Sequence, residues 1–178
     1  MTKKPTQMIA YSSILVAFGI LIPMVMPVKI IIGPASYTLA SHVPIFLACF
    51  LSLPIAVFVS LGTALGFFLA GFPFIIVMRA LSQVIFATVA AAYLSKNRDL
   101  LKNPFKTVIF ASIISLIHAL AEFLVVLFLT KVGSMDSSYL WSLIGLVGFG
   151  TFVHSMIDFY LSLFLWKSLV TKIGLKLA

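Results

Sequence analysis

The stretch GFPFIIVMRALSQVIFATVAAAYLSKNRD, Gly71 to Asp99, decides the fold. It runs almost without polar side chains for about 20 residues, the length a helix needs to cross roughly 30 Å of hydrocarbon, and ends in a basic loop. Arg79 lies inside it, with Gln83 one helical turn later. On insertion scales an arginine near a helix centre costs about 2.5–3.5 kcal/mol, so it faces the bundle interior and has a partner or a task there.

The rest of the chain has the same character. Of 178 residues, 62% are hydrophobic and 9% charged, which excludes a soluble domain. The apolar runs are long and lack strand alternation, so the spans are helices and not barrel strands. There is room for about six spans and almost nothing else. The expected fold is a single all-α integral membrane domain over residues 1–178, multi-pass, in the cell membrane and in contact with lipid. The one cysteine, Cys49, excludes an internal disulfide or thiolate metal site. The N-terminal apolar run is long for a signal peptide and lacks a clear small-residue cleavage site, so it reads as a retained first helix.

A formal charge of +8 could suggest nucleic acid, but its distribution excludes that partner. Nine of the twelve basic residues fall in three clusters beside apolar runs: Lys3 and Lys4; Lys96, Arg98, Lys102 and Lys106; Lys167, Lys172 and Lys176. That is where positive-inside charge belongs. Helix ends follow from prolines, glycines and polar links. Helix one covers about Thr6–Met26, helix two Val43–Leu53, helix three Pro54–Ala70, helix four Pro73–Leu94, helix five Phe105–Leu129 and helix six Tyr139–Trp166. Val28 to His42, with β-branched residues and a Gly-Pro turn, reads as a non-spanning loop. Six spans place all three clusters on one side, which predicts N-in, C-in. Helix two is short for a span and is expected to be tilted or partly embedded.

The informative residues are the polar ones within spans: Arg79 and Gln83 in helix four, His118 and Glu122 in helix five, His154 and Asp158 in helix six, with His42 at the loop edge. Each helical pair is spaced i,i+4 and shares a face. Arg79 lies about 9 Å into helix four from its outer start, at 1.5 Å per residue. Glu122 falls in the outer half of helix five at a matching depth; Asp158 falls in the inner half. Two readings stay open: an Arg79–Glu122 structural pair, or an outward pocket where Arg79 meets an anion. Two His/carboxylate pairs could supply metal ligands, but their offset in depth argues against one, and no metal is expected. Each histidine is instead expected to hydrogen-bond the carboxylate one turn away. Gly62 and Gly66 form a small-residue face expected to pack inside the chain; Ala10, Ser13 and Ala17 form another on helix one.

With these features in place, the chain resembles the substrate-binding S components of energy-coupling factor (ECF) vitamin transporters. The resemblance rests on six helices in under two hundred residues, on SSILVAFGIL with Ser13 and Ala17 in an Ala-x-x-x-Ala-like pattern, and on the segment from Val28 to Gly71. Ser13 replaces the first alanine of that pattern. The segments GPASYTLASHVPIFLA and GFPFIIVMRALSQ most resemble the niacin-type members, and the absence of an N-terminal Met-His pair sets the chain apart from the nickel/cobalt members.

The resemblance implies high-affinity vitamin binding in an outer cavity lidded by the loop between helices one and two. It implies docking through Ala10, Ser13 and Ala17 onto a transmembrane coupling (T) component that carries two cytoplasmic ATPases, in a bacterial plasma membrane. The chain has no Gly-Lys-Ser/Thr phosphate loop, so it holds no cofactor of its own; ATP and Mg would be used by the partners, and the chain is not an enzyme. Expected binding residues are Arg79, Gln83, Glu122, His42, Tyr37, Ser36 and Thr38, with Arg79 in a bidentate contact to the substrate carboxylate. Niacin is favoured among small carboxylate vitamins, and pantothenate or folate would use the same arginine logic. Two rivals come from other classes. An intramembrane enzyme could use the His/acid pairs, but no Gly-x-Ser-x-Gly or metalloprotease motif is present. A self-sufficient secondary transporter or channel would commonly show two similar halves, and only a weak His-x-x-x-acid echo is found.

Overall fold

A computed structural model describes residues 5–33, 35–97, 99–130 and 136–173. Lys3, Lys4, Arg98 and Lys176, used above for charge placement, lie outside the described residues. Among the described residues the chain is helical apart from one hairpin. The elements are α1 (Pro5–Val25), β1 (Lys29–Ile32), β2 (Ala35–Thr38), α2 (Val43–Leu51), α3 (Leu53–Leu69), α4 (Phe74–Lys96), α5 (Pro104–Thr130), α6 (Ser137–Ser142) and α7 (Gly150–Ile173). A 3-10 turn at Leu100–Lys102 precedes α5, and a π-helical segment, Leu143–Phe149, joins α6 to α7.

Four helices are long and apolar enough to cross a membrane: α1, α4, α5 and the continuous run Ser137–Lys172. The α3 helix has 17 residues. The α2 helix has nine, about 13 Å of rise, less than half of a hydrocarbon core. The expected second span is therefore a half-length helix. Its limits are written in the chain: Pro44 occupies the first turn, Ser52 is fully extended, and Pro54 opens α3. Every α2 residue except Leu47 is buried, and the helix touches α1, α3, α4 and α7.

The two ends of the bundle differ. At one end the N-terminal part of α1, the C-terminal parts of α4 and α7 and the start of α5 pack around Phe50 and Leu51 of α2, in an apolar core that includes Leu94, Leu100, Phe110, Leu163 and Trp166. At the other end the hairpin fills the space that the missing half of α2 leaves. The hairpin pairs Lys29 with Thr38 and Ile31 with Ser36. Its turn uses Gly33 at φ 54°, a left-handed conformation that glycine adopts without a Cβ penalty.

Small residues bring α1 and α3 together. A Cβ on Gly62 would lie 2.7 Å from Val16, and one on Gly66 would overlap Ile20. The Gly62–Gly66 face thus packs within the chain, as expected from its spacing. Ala10, Ser13 and Ala17 face the other way on α1 and are exposed, beside Ile14, Phe18 and Leu21.

Candidate functional site: a polar pocket under the hairpin

Strand alternation sorts the hairpin side chains. Lys29, Ile31, Ser36 and Thr38 turn towards a cavity of about 360 Å³ between the hairpin and the ends of α1, α3 and α4. That is within the size range of small-molecule pockets. Arg79, Gln83, Glu122, His42, Ser41, Thr63 and Phe67 complete much of its lining. Tyr37 faces away. It packs with Ala35 against Val126, Leu143 and Val147, so the expectation that its ring lines the pocket is corrected by the strand register. The Tyr37 hydroxyl instead donates to the Leu146 carbonyl in the π-helical segment. Gly150 leaves the room: a Cβ there would overlap the Tyr37 hydroxyl.

Arg79 is buried at the pocket wall and its partners are nearly complete. Its Nε and Nη2 donate to Glu122 Oε2 at 3.0 and 2.8 Å. Nη2 also donates to the Ser36 carbonyl at 3.3 Å, and Nη1 to Ser36 Oγ at 3.1 Å. Four of the five guanidinium N–H groups are thereby committed among the described residues, and one on Nη1 stays open. A bidentate contact to a ligand carboxylate requires Ser36 to leave. Glu122 is buried and accepts from Thr151 Oγ1 at 3.3 Å, Gln83 Nε2 at 3.4 Å and His118 Nε2 at 3.2 Å as well. It is the group that holds Arg79. Since a carboxylate only accepts, the His118 proton is on Nε2, and Nδ1 accepts from Ser155 Oγ at 3.1 Å.

The second acid centres on Asp158. Its Oδ1 accepts the Ala40 N–H at 2.9 Å, and its Oδ2 accepts the His42 N–H at 2.9 Å and His42 Nδ1 at 3.0 Å. Ala40 has φ 66°, a conformation unusual for alanine, and the Asp158 carboxylate holds the turn there. His154 lies 3.5 Å from Asp158 Oδ2, and Ser41 Oγ, at 3.2 Å, is its nearer partner. The expected i,i+4 hydrogen bond therefore forms in the His118–Glu122 pair, whereas His154 turns to Ser41.

His42 joins the two groups. Its ring meets His118 at 4.5 Å and His154 at 4.9 Å between centroids. The expected depth offset does not keep the two His/acid pairs apart: His118 bonds Ser155 and Glu122 bonds Thr151, beside His154, and the non-helical turn before α2 places His42 between them. Donor atoms of His42, His154 and Asp158, and of His42, His118 and Glu122, come within 4.8 Å of one another. Their carboxylate oxygens already accept N–H and O–H donors, so we read them as hydrogen-bonding groups.

Sequence reasoning missed three pocket residues. Lys29 is the lining cation without an acidic partner among the described residues. Ser41 links the histidines. Thr63 is buried on α3, against Gly19 of α1, with a hydroxyl that has no partner among the described residues. Lone hydroxyls in apolar helices cost little, so nothing in the sequence marks them. A wider hollow lies at the opposite end of the bundle, but its charged residues, Lys96, Asp99 and Lys106, are exposed loop and helix-end groups.

Fold and site together define a helical membrane protein with a buried polar pocket closed by a hairpin. The niacin transporter NiaX of Lactococcus lactis subsp. cremoris (strain MG1363) is 44% identical to this chain over 154 residues, 85% of this chain and 69% of the relative. The chain belongs to this family, the niacin-type S components of ECF transporters. No family model matches the chain. No solved structure matches it.

Proposed function

We propose that the chain is the membrane-embedded binding subunit of an ECF-type importer and that it takes nicotinate into the pocket under the hairpin. The carrying observation is the buried Arg79–Glu122 pair, with Gln83 and Ser36, on the wall of a cavity that also receives Lys29. Arg79 offers its open N–H to the substrate carboxylate, Ser36 and Thr38 add hydroxyls, and Lys29 supplies the unpaired positive charge. Glu122 and Gln83 keep the guanidinium in place. Phe67 and Phe72, stacked 4.4 Å apart at the pocket edge, give the apolar face that an aromatic ring needs.

The same reading sets the topology. The half-length α2 plus the hairpin counts as the second crossing, giving six with both termini inside and the hairpin outside. The exposed strip Ala10, Ser13 and Ala17 docks on a coupling component, whose two ATPases supply ATP hydrolysis with Mg. Calorimetric titration of the purified chain with nicotinate and nicotinamide tests the reading: tight nicotinate and weaker nicotinamide binding supports it, and no binding of either removes it. Sustained nicotinate uptake by liposomes holding this chain alone would replace the partner-dependent scheme with a self-sufficient transporter.

A further inference from the structure

We infer that His42, clamped by Asp158, takes the ring nitrogen of the substrate through one shared proton, so that binding removes a proton from solution. The inference rests on the nicotinate reading above and adds the contact that distinguishes a pyridine from a benzene ring.

Asp158 Oδ2 is 3.0 Å from His42 Nδ1, and a carboxylate only accepts, so that nitrogen carries a proton. The backbone N–H of His42 donates to the same oxygen at 2.9 Å, which fixes the ring. Nε2 is left. It has no hydrogen-bond partner among the described residues, yet it is not among the buried unpartnered atoms, and His42 lines the cavity. Nε2 is therefore open to the pocket. In a neutral ring it presents a lone pair, and so does a pyridine nitrogen. Two lone pairs repel unless a proton sits between them. The same hydrogen bond results whichever nitrogen holds it.

The groups facing His42 are Asp158 and His154 from α7, His118 and Glu122 from α5 and Arg79 from α4, with Lys29 on the hairpin; α1 and α3 carry no acidic or basic residue. Arg79 and His42 lie on either side of the His118–Glu122 pair. A ring with its carboxylate and nitrogen at separate positions can engage both.

The test is calorimetry of the intact chain near neutral pH in buffers of different ionisation enthalpy, with nicotinate and with benzoate, which has the same shape and no ring nitrogen. The expected result is uptake of about one proton per nicotinate and none per benzoate, with benzoate weaker by about tenfold or more, the size of one lost buried hydrogen bond. His42→Gln, whose amide donates without titrating, should abolish proton uptake and leave nicotinate binding weaker but measurable. Nicotinate binding without proton uptake in the wild type, or uptake unchanged in His42→Gln, overturns the inference and leaves the nicotinate pocket standing. Failure of nicotinate to bind at all removes both.

Discussion

The Tyr37 hydroxyl donates to the carbonyl of Leu146, 109 residues further along the chain. It ties the hairpin that covers the pocket to the π-helical stretch Leu143–Phe149. Gly150, just past that stretch, leaves the room the Tyr37 hydroxyl needs to reach it. The hairpin is latched from its outer face while its inner face lines the pocket.

Removing the latch should loosen the lid. Tyr37→Phe keeps the ring among Val126, Leu143 and Val147 and deletes only the donor. One hydrogen bond contributes about 0.5–1.5 kcal/mol, so nicotinate should dissociate roughly twofold to tenfold faster in stopped-flow release. An unchanged off-rate would show that the hairpin opens without breaking this contact.

The two small-residue faces of the α1–α3 pair should separate stability from coupling. Gly62→Ala places a methyl against the branched side chain of Val16 and should cost about 1–3 kcal/mol, seen as a lower melting temperature in detergent. Ala17→Leu adds bulk to an exposed strip and should leave melting and nicotinate binding nearly unchanged while abolishing uptake in liposomes with the coupling component and ATPases. Binding that falls together with uptake in Ala17→Leu would make the strip an internal contact.

Asp158 should matter for folding as well as for the ligand. Asp158→Asn leaves the Ala40 and His42 N–H groups and the His42 ring sharing one weaker acceptor, a loss of about 1–3 kcal/mol. Ala40→Gly suits the left-handed turn and should melt no lower than wild type. If Asp158→Asn melts like wild type, the carboxylate does not hold this turn.

Topology is open to direct labelling, since the native Cys49 is buried. With both termini inside, Asn97→Cys is blocked from an impermeant thiol reagent in intact cells and Ser137→Cys reacts. The reverse pattern would invert the pocket.

How far the sequence reaches is clear from particular residues. Arg79 and Glu122 were legible as a pair because charges in hydrocarbon are costly and helix rise converts residue number into depth. Helix identities followed from apolar length. The shortness of α2 was legible too, whereas its stop at Leu51, with Ser52 extended before Pro54, was not, because composition does not give the backbone angle of one serine. His42 was placed at the loop edge, and no periodicity gives the depth of a non-helical turn, so its link to both acids stayed hidden. Tyr37 was named a pocket residue because its segment read as a loop, and without a strand register the sequence does not say which side chains turn inward. Ser36, which occupies most of the donor capacity of Arg79 that Glu122 leaves, was named as a pocket hydroxyl but its role as a stand-in acceptor was beyond the sequence.

The central claim is that the Arg79 site, with Lys29, recognises a carboxylate. Calorimetric titration of nicotinate and nicotinamide against wild type, Arg79→Lys and Lys29→Gln tests it most directly. A lysine cannot reproduce the guanidinium contacts to Glu122 and Ser36 while offering a further N–H to the ligand. Arg79→Lys should lower nicotinate affinity by about thirtyfold or more, from a loss of roughly 2–5 kcal/mol. Lys29→Gln, on an exposed strand position where folding is not at stake, should weaken nicotinate severalfold and nicotinamide little. Equal losses for both ligands in both variants would contradict the account and leave Arg79 as the structural partner of Glu122 alone.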